Sequence, residues 1–265
     1  MRKPKVTDKL IKQMLELRHS RNNIEHYNFN FLINISRYAA LIHRIIEIRL
    51  EEELFKVAVS QYLVCLVSCW ETFFRDTFLF ITSNDEDFRK KISSLVGIKS
   101  DALDENLYNE LLSKYFNFQN FDDIESSFSP IFVGNMFFTI TNYVFPHLGI
   151  NGQIAGDFCY ESVFPNSLDS VKQVYEERHK IVHDANYRHI LHNKFVQQIE
   201  ATFIIFPQIF TIWMSEKYNL PLMATTINVQ NSNNNLVEQT EISVPYLFTI
   251  KEMLSTDLEI VSESN

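Results

Sequence analysis

The feature that most constrains the fold is a long stretch, from about residue 29 to residue 82, in which apolar residues follow a helical spacing. Side chains that recur every three or four positions lie on one side of a helix, and here they are Leu32, Ile35, Leu41, Ile45, Ile48, Leu54, Val57, Leu63, Val67, Phe74 and Phe78. The 265 residues include only 5 glycines and 7 prolines, so little interrupts such helices. The pattern predicts a mainly helical protein, with a break between two long helices at the acidic run of residues 51–53.

Three further helices follow from capping residues and spacing. The pair Asn84-Asp85 is typical of a helix N-cap, and so is Asn166-Ser167, which we expect to begin a helix that ends near residue 184. A second long amphipathic helix is predicted over residues 191–218, with Pro207 as a kink. The predicted fold class is therefore all-α.

The same signals predict how the chain is organised. We expect an N-terminal helical extension over residues 1–50 and a helical domain over residues 51–220. A loop-rich insert, punctuated by glycines, is predicted within that domain at about residues 117–166. Beyond residue 221, polar and apolar residues alternate on both sides of an asparagine-rich turn, which indicates a small β-hairpin. The hairpin and an acidic tail make up residues 221–265.

Charge and cysteine content limit the class of protein. A net charge of -9 and an isoelectric point near 5.4 argue against a protein that coats nucleic acid without specificity, although one local basic cleft is compatible with them. Residues 2–21 hold seven Lys or Arg against two acids, whereas residues 221–265 hold one Lys against six acids. Three cysteines are too few for a disulfide scaffold. We expect no signal peptide, no membrane-spanning helix and a cytoplasmic location.

The segment Arg178-His179-Lys180-Ile181-Val182-His183 is the strongest chemical signal in the chain. It combines a permanent cation with side chains that gain or lose a proton near neutral pH. Cleavage of a phosphodiester without a metal needs a charge to hold the phosphate and a group that transfers protons. Residues five apart on a helix differ by about 140° in direction, so Arg178 and His183 do not project side by side, whereas His179 and His183 share a face. Arg178 is long enough to swing towards that face or towards a second chain, and this geometry suggests a composite site in which Arg178 approaches His183 of that chain across a two-fold axis.

These six residues resemble the R-x4-6-H motif of the HEPN superfamily, many of whose members are ribonucleases. His179 occupies the position after the arginine where that family prefers His, Asn or Asp. Glu71, Arg75 and Asp76 are similar to the family's buried acid and the Arg-Asp pair that follows it on an earlier helix. The segment 118–120 resembles the middle of the RiboL-PSP type of HEPN domain. The resemblance covers about residues 55–218 and implies a HEPN-like helical bundle.

The resemblance implies a metal-independent endoribonuclease that acts as a homodimer on RNA, without a cofactor. In it, His183 is the general acid or base for the 2′-hydroxyl or the leaving 5′-oxygen, and Arg178 stabilises the charge of the transition state. His179 is a second proton carrier or an orienting group. Attack by the 2′-hydroxyl leaves a 2′,3′-cyclic phosphate and requires RNA rather than DNA.

Other residues are expected to support this site. Glu71 would orient an arginine or a histidine, and Arg75 is its neighbour one helical turn away. The predicted contacts with the RNA backbone are Lys180, Arg188 and Lys194. The family context is that of toxins and anti-phage defence effectors, so an antitoxin or another regulatory protein is an expected partner.

Several alternatives remain open from the residues alone. Arg178 could pair with acids of its own helix, and Glu71 could serve only as the ion-pair partner of Arg75. His179 and His183 are spaced as a helical pair of metal ligands, with His189 and His192 close in sequence. The whole domain could be a non-catalytic HEPN module that binds RNA or a nucleotide or only dimerises, or a purely structural helical protein.

Overall fold

A computed structural model describes most of the chain, namely residues 24–97, 105–132, 134–148, 154–184, 187, 193–220, 222, 224–233 and 236–248. The basic N-terminal stretch, Arg188 and the acidic tail beyond residue 248 lie outside the described residues. The side chain of Lys194 does so as well.

Helices make up most of the described chain. They are α1 (Ile24–Glu47), α2 (Glu52–Asn84), α3 (Glu86–Val96), α4 (Glu105–Ser113), α5 (Phe121–Phe128), α6 (Met136–Thr141), α7 (Tyr160–Val163), α8 (Ser167–His183) and α9 (Asn193–Tyr218). A 3₁₀ turn, Ser129–Ile131, follows α5. Two antiparallel hairpins complete the fold: β1 (Val144–Leu148) with β2 (Ile154–Cys159), and β3 (Ala224–Asn233) with β4 (Leu236–Pro245). The predicted all-α class with a small C-terminal hairpin is confirmed.

Helix α2 forms the centre of the bundle. It packs against α1, α8 and α9 on its long sides and against α3 and α4 near its C-terminal end. A helix surrounded in this way needs apolar residues on most of its circumference, and Leu66, Val67, Trp70 and Phe74 are all fully buried. The predicted break lies between Glu47 and Glu52, where Arg49 adopts a left-handed φ of 49°.

Pro207 of α9 creates a hydrogen-bonding requirement that α2 satisfies. Proline has no backbone N–H, so the carbonyl of Phe203, four residues earlier, loses its helical donor. The indole Nε1 of Trp70 donates to that carbonyl at 2.8 Å. Because both groups are in the dry core, the bond fixes the depth and the rotation of α9 relative to α2.

A buried carboxylate also ties three helices together. Glu200 of α9 is 2% exposed and accepts from the hydroxyl of Tyr62 on α2 at 2.5 Å. Its other oxygen is 3.0 Å from Nε2 of His43 on α1. A carboxylate can be buried at low cost only when its lone pairs are satisfied. Helix α1 is thus bonded to the core, and its residues belong to the same hydrophobic cluster as those of α2 and α9.

The segment predicted as a loop-rich insert is more ordered than its composition suggests. It contains α5, the 3₁₀ turn, α6, the β1–β2 hairpin and α7. Each element is short, so helical or strand periodicity has too few residues in which to show. Asn120 and Asn135 cap the two short helices α5 and α6 by accepting backbone N–H groups. Buried phenylalanines then hold these helices against α2 and α9. For example, the ring centroid of Phe128 lies 5.3 Å from that of Phe210 on α9.

Candidate functional site

The Arg/His motif lies in the last two turns of α8. Helix α8 ends at His183, and the backbone N–H of the following Asp184 closes it on the carbonyl of Lys180 at 2.8 Å. The buried side of the helix carries Val171, Val174 and Tyr175, which pack into the core shared with α2 and α9. This packing fixes which residues of the motif face solvent.

The two histidines of the motif share an exposed face. His179 and His183 are both exposed, and their ring centroids lie 4.4 Å apart at an interplanar angle of 53°. This contact follows from their separation of one helical turn. Two imidazoles open to solvent and to each other can accept a proton and deliver one at neighbouring positions.

Arg178 is half-buried and is bonded towards α2 instead of towards the histidines. Its Nη2 donates to Oε1 of Gln119 at 2.8 Å, and Nε2 of Gln119 donates to Oε2 of Glu71 at 2.6 Å. The other carboxylate oxygen of Glu71 accepts from Arg75. Among the residues that the structure describes, Arg178 makes no hydrogen bond to His179 or His183. We call Glu71, Arg75, Gln119 and Arg178 the arginine network.

Gln119 is suited to the centre of this network because a carboxamide has both a donor and an acceptor. Its carbonyl meets the guanidinium of Arg178, and its amide meets the carboxylate of Glu71. An acid at this position would repel Glu71, and a base would repel Arg178. The amide therefore couples a cation on α8 to an anion on α2 without adding charge.

The turn before α5 places Gln119 between two anchored aromatic residues. Phe118 is 1% exposed and Phe121 is 9% exposed, so the backbone on either side is held in the core. The N–H of Gln119 donates to Oδ1 of Asn117 at 3.2 Å, and Asn120 caps α5. From the sequence, Glu71 and Arg75 were expected to support the site, but Gln119 was given no role. Its signal in the sequence was the resemblance of residues 118–120 to the middle of the RiboL-PSP domain, which says nothing of the helices that Gln119 reaches.

Two buried polar atoms lie at the inner edge of the network. The hydroxyl of Tyr175 and Nε of Arg178 are buried and have no hydrogen-bond partner in the described part of the chain. Burial, together with the nearby charge of Glu71, raises the pKa of the Tyr175 phenol. The phenol therefore stays neutral at physiological pH. The guanidinium of Arg178 also carries Nη1, which makes no hydrogen bond to a described residue.

Of the three predicted RNA contacts, the structure describes the side chain of Lys180. Nζ of the exposed Lys180 lies 2.8 Å from Oε1 of Glu177 and 5.7 Å from the ring centroid of Tyr187. Glu177 also accepts from the hydroxyl of Tyr187. Its carboxylate raises the pKa of Lys180, so the ammonium persists but its charge is partly compensated. Arg188 and the side chain of Lys194 are outside the described residues.

Metal binding was an alternative for the histidines of the motif. Within the described ranges, no group of three or more His, Cys, Asp or Glu side chains could hold a metal ion. That alternative also involved His189 and His192, which are not described.

One described helix, α2, is long and apolar enough to cross a membrane by length and composition alone, with a mean hydropathy of 1.4. In the structure 56% of that apolar window is buried within the protein, as in the core helix of a bundle.

The RiboL-PSP-HEPN family model matches residues 30–210, which include the whole arginine network and both exposed histidines. No curated protein and no solved structure matches the chain. The match starts inside α1, within the segment predicted as an N-terminal extension. It supports an RNA-related or nuclease-related module, and because it covers well over half of the sequence, the chain belongs to the RiboL-PSP-HEPN family.

Proposed function

We propose that the protein is a metal-independent endoribonuclease that acts as a homodimer. The observation that carries the proposal is an arginine oriented by the network beside a pair of exposed, touching histidines on the same helix end. A fixed cation that meets the phosphate before reaction is more effective than one that must be ordered during it. The family match supports the RNA-related part of this proposal.

In the proposed reaction, an exposed histidine removes the proton from the 2′-hydroxyl of the substrate. The 2′-oxygen then attacks the adjacent phosphorus, and the bond to the 5′-oxygen breaks as that oxygen takes a proton from a protonated histidine, so that a 2′,3′-cyclic phosphate and a 5′-hydroxyl are formed. His183 is assigned as general acid or base, and His179 as the second proton carrier or as an orienting group. The free donors of Arg178 would bind the phosphate oxygens as negative charge develops on them.

The directions of the side chains support the two-chain arrangement. Arg178 is bonded towards α2 of its own chain, and it is separated from His183 by about 140° around the helix axis. Val182, which is 48% exposed, lies on the same helix end as the two exposed histidines. A two-fold axis near this end would bring Arg178 of one chain towards His183 of the other.

The direct test is cleavage of a total RNA pool in EDTA by the wild type, Arg178→Ala and His183→Ala. His26→Ala is the matched control, because His26 is an exposed histidine on α1, away from the motif. We expect the wild type and His26→Ala to cleave and both motif variants to lose cleavage. Equal cleavage by all four proteins would refute the assigned site, and no cleavage by the wild type would favour the binding module considered below.

Mixed dimers test the composite site. Each variant alone is expected to be inactive, but a dimer of one Arg178→Ala chain and one His183→Ala chain retains one complete pair. Random pairing of equal amounts should therefore restore about a quarter of the wild-type activity. A site contained within a single chain predicts no recovery, so this result separates the two arrangements.

The cellular role we propose is that of a cytoplasmic toxin or anti-phage defence effector, controlled by an antitoxin or another regulatory protein. This role rests on the family resemblance. Induced expression of the wild type should arrest growth, whereas His183→Ala, expressed at the same level, should not. Growth arrest by both proteins would disconnect toxicity from the proposed catalytic site.

A second candidate is a non-catalytic HEPN module that binds RNA or a nucleotide or serves for dimerisation. The net charge of -9 favours it over a strong RNA-binding enzyme. In that case the wild type and His183→Ala would bind single-stranded RNA equally well and would leave it intact.

A further inference from the structure

A groove between α1 and α2 lies outside the arginine network. It encloses about 200 Å³. Its rim on α1 is formed by Asn30, Asn34 and Tyr38, which are exposed and follow one another at intervals of one helical turn. The opposite rim includes Thr72, and the buried carboxylate of Asp76, 6% exposed, lies at the same wall.

The groove combines an apolar floor with polar edges. Phe31 and Phe73, whose ring centroids are 5.2 Å apart, belong to the floor and are almost fully buried. Tyr38 lines the groove and is 37% exposed, so part of its side chain is open to a ligand. Single-stranded nucleic acids are recognised in this way, by stacking of unpaired bases on aromatic rings and hydrogen bonds to base edges.

Size selects a small occupant. Pockets for drug-sized ligands enclose roughly 300–1,000 Å³, and this groove is smaller. One planar heterocycle fits such a space better than a complete nucleotide with its phosphate. The sugar and phosphate of a bound nucleotide would then remain on the rim, in solvent.

The wall of the groove on α2 is rich in hydrogen-bond acceptors, whereas the carboxamides of Asn30 and Asn34 on α1 can both donate and accept. The hydroxyl of Thr72 donates to the carbonyl of Ser68 at 3.0 Å, which leaves its oxygen available as an acceptor. The Asp76 carboxylate has about four acceptor sites, so it can accept from a ligand in addition to its bonds within the protein. Bases with an exocyclic amino group can donate to these acceptors. Uracil has only one N–H on its Watson–Crick edge, and a carbonyl flanks it on each side. The groove therefore favours adenine, cytosine or guanine over uracil.

Helix α2 connects the groove to the arginine network. Viewed along its axis, Glu71, Arg75 and Thr72 follow one another at about 0°, 40° and 100°. By angle, Arg75, whose side chain is 43% exposed, is thus the member of the network on α2 that is closest to Thr72 at the rim of the groove. A backbone phosphate near Arg75 would be next to both places.

We propose that this groove binds one unpaired nucleobase of the RNA, with a preference for bases that carry an amino group, and so contributes to the choice of cleavage site. The link to cleavage rests on the proposed function, whereas the binding of a base by the groove does not require it.

Binding of the four free nucleosides to the full chain, measured by saturation-transfer NMR, tests the groove without RNA cleavage. We expect at least one amino-bearing nucleoside to bind about fivefold or more tightly than uridine, as expected for hydrogen-bonded discrimination between bases. Asn34→Leu and Thr72→Phe, both at exposed positions, should reduce that binding at least about fivefold by the same reasoning. Gln61→Leu, an exposed substitution on α2 outside the groove, should leave it unchanged.

Two results would overturn the proposal: no nucleoside binds the wild type, or the groove variants bind nucleosides as the wild type does. Retained folding of each variant is verified by its thermal transition. The RNA cleavage assay separates failure of the groove proposal from failure of the proposed ribonuclease function. Nucleoside binding that is lost in the groove variants of a protein that does not cleave RNA supports the groove alone. Cleavage with no nucleoside binding supports the ribonuclease and rejects the groove.

Discussion

Replacement of Gln119 by leucine should both destabilise the fold and release Arg178. Leucine has nearly the same size but makes neither the bond to Glu71 at 2.6 Å nor the bond from Arg178 at 2.8 Å. Hydrogen bonds to charged groups contribute about 1.5–3 kcal/mol each, which gives an upper bound of about 3–6 kcal/mol for the pair. Because Arg178 is only half-buried, water replaces part of the lost bonding, and we expect the free energy of unfolding to fall by about 2–3 kcal/mol.

Thermal and denaturant unfolding measure this loss. For a chain of this size a loss of about 2–3 kcal/mol corresponds to a decrease in Tm of about 4–12 °C. Gln61→Leu is the matched control, because Gln61 is an exposed glutamine of α2. If Gln119→Leu and Gln61→Leu unfold at the same temperature, the bridge contributes nothing and the network is incidental.

The same substitution has a functional consequence if the protein cleaves RNA. Small displacements of a catalytic group can cost about 100-fold in rate, so kcat/KM of Gln119→Leu should fall by about 10- to 100-fold, mainly through kcat. Combining it with Arg178→Ala should add little, because both changes remove the same oriented cation. Additive losses from the two substitutions would contradict a positioning role for Gln119.

Three further predictions concern the core. Tyr62→Phe removes a donor to the buried Glu200, so the free energy of unfolding, measured by urea denaturation, should fall by about 1.5–3 kcal/mol. A change below about 0.5 kcal/mol would contradict the role of this bond. Pro207→Ala restores a backbone N–H that can donate to the carbonyl of Phe203, to which Trp70 now donates. Trp70→Phe should therefore lower the free energy of unfolding by about 1 kcal/mol less in the Pro207→Ala variant than in the wild type. An equal loss in both proteins would disprove the compensation. Burial raises the pKa of the Cys69 thiol to about 12, so iodoacetamide at pH 8 should modify this residue only after unfolding. Mass spectrometry measures the modification. Rapid modification of the native protein would show that the thiol is accessible.

Elements with strong local signals were predictable from the sequence. The break before Glu52, the N-cap at Asp85, the helix from Ser167 and the C-terminal hairpin all lie where the sequence indicated. In each case the signal is contained in a few neighbouring residues: a capping side chain, an acidic run or a strict alternation. The short helices of the insert begin at capping asparagines, but they and the hairpin are too short for periodicity to show, and they depend on burial of phenylalanines against distant helices.

The candidate site shows the same division. The motif at Arg178 and His183, the shared face of the two histidines and the pairing of Glu71 with Arg75 follow from spacing on single helices. The role of Gln119 does not, because it lies 48 residues from Glu71 and 59 residues from Arg178 in the chain.

The sequence by itself determined the helical class, the helix ends and which side chains of one helix share a face, because these depend on interactions between residues a few positions apart. Only the tertiary structure decided that Arg178 bonds towards α2, that Trp70 serves the carbonyl left by Pro207, and that a groove opens between α1 and α2. These features depend on the relative depth and rotation of packed helices. Packing sets that geometry through contacts between residues far apart in the chain, which local periodicity does not encode.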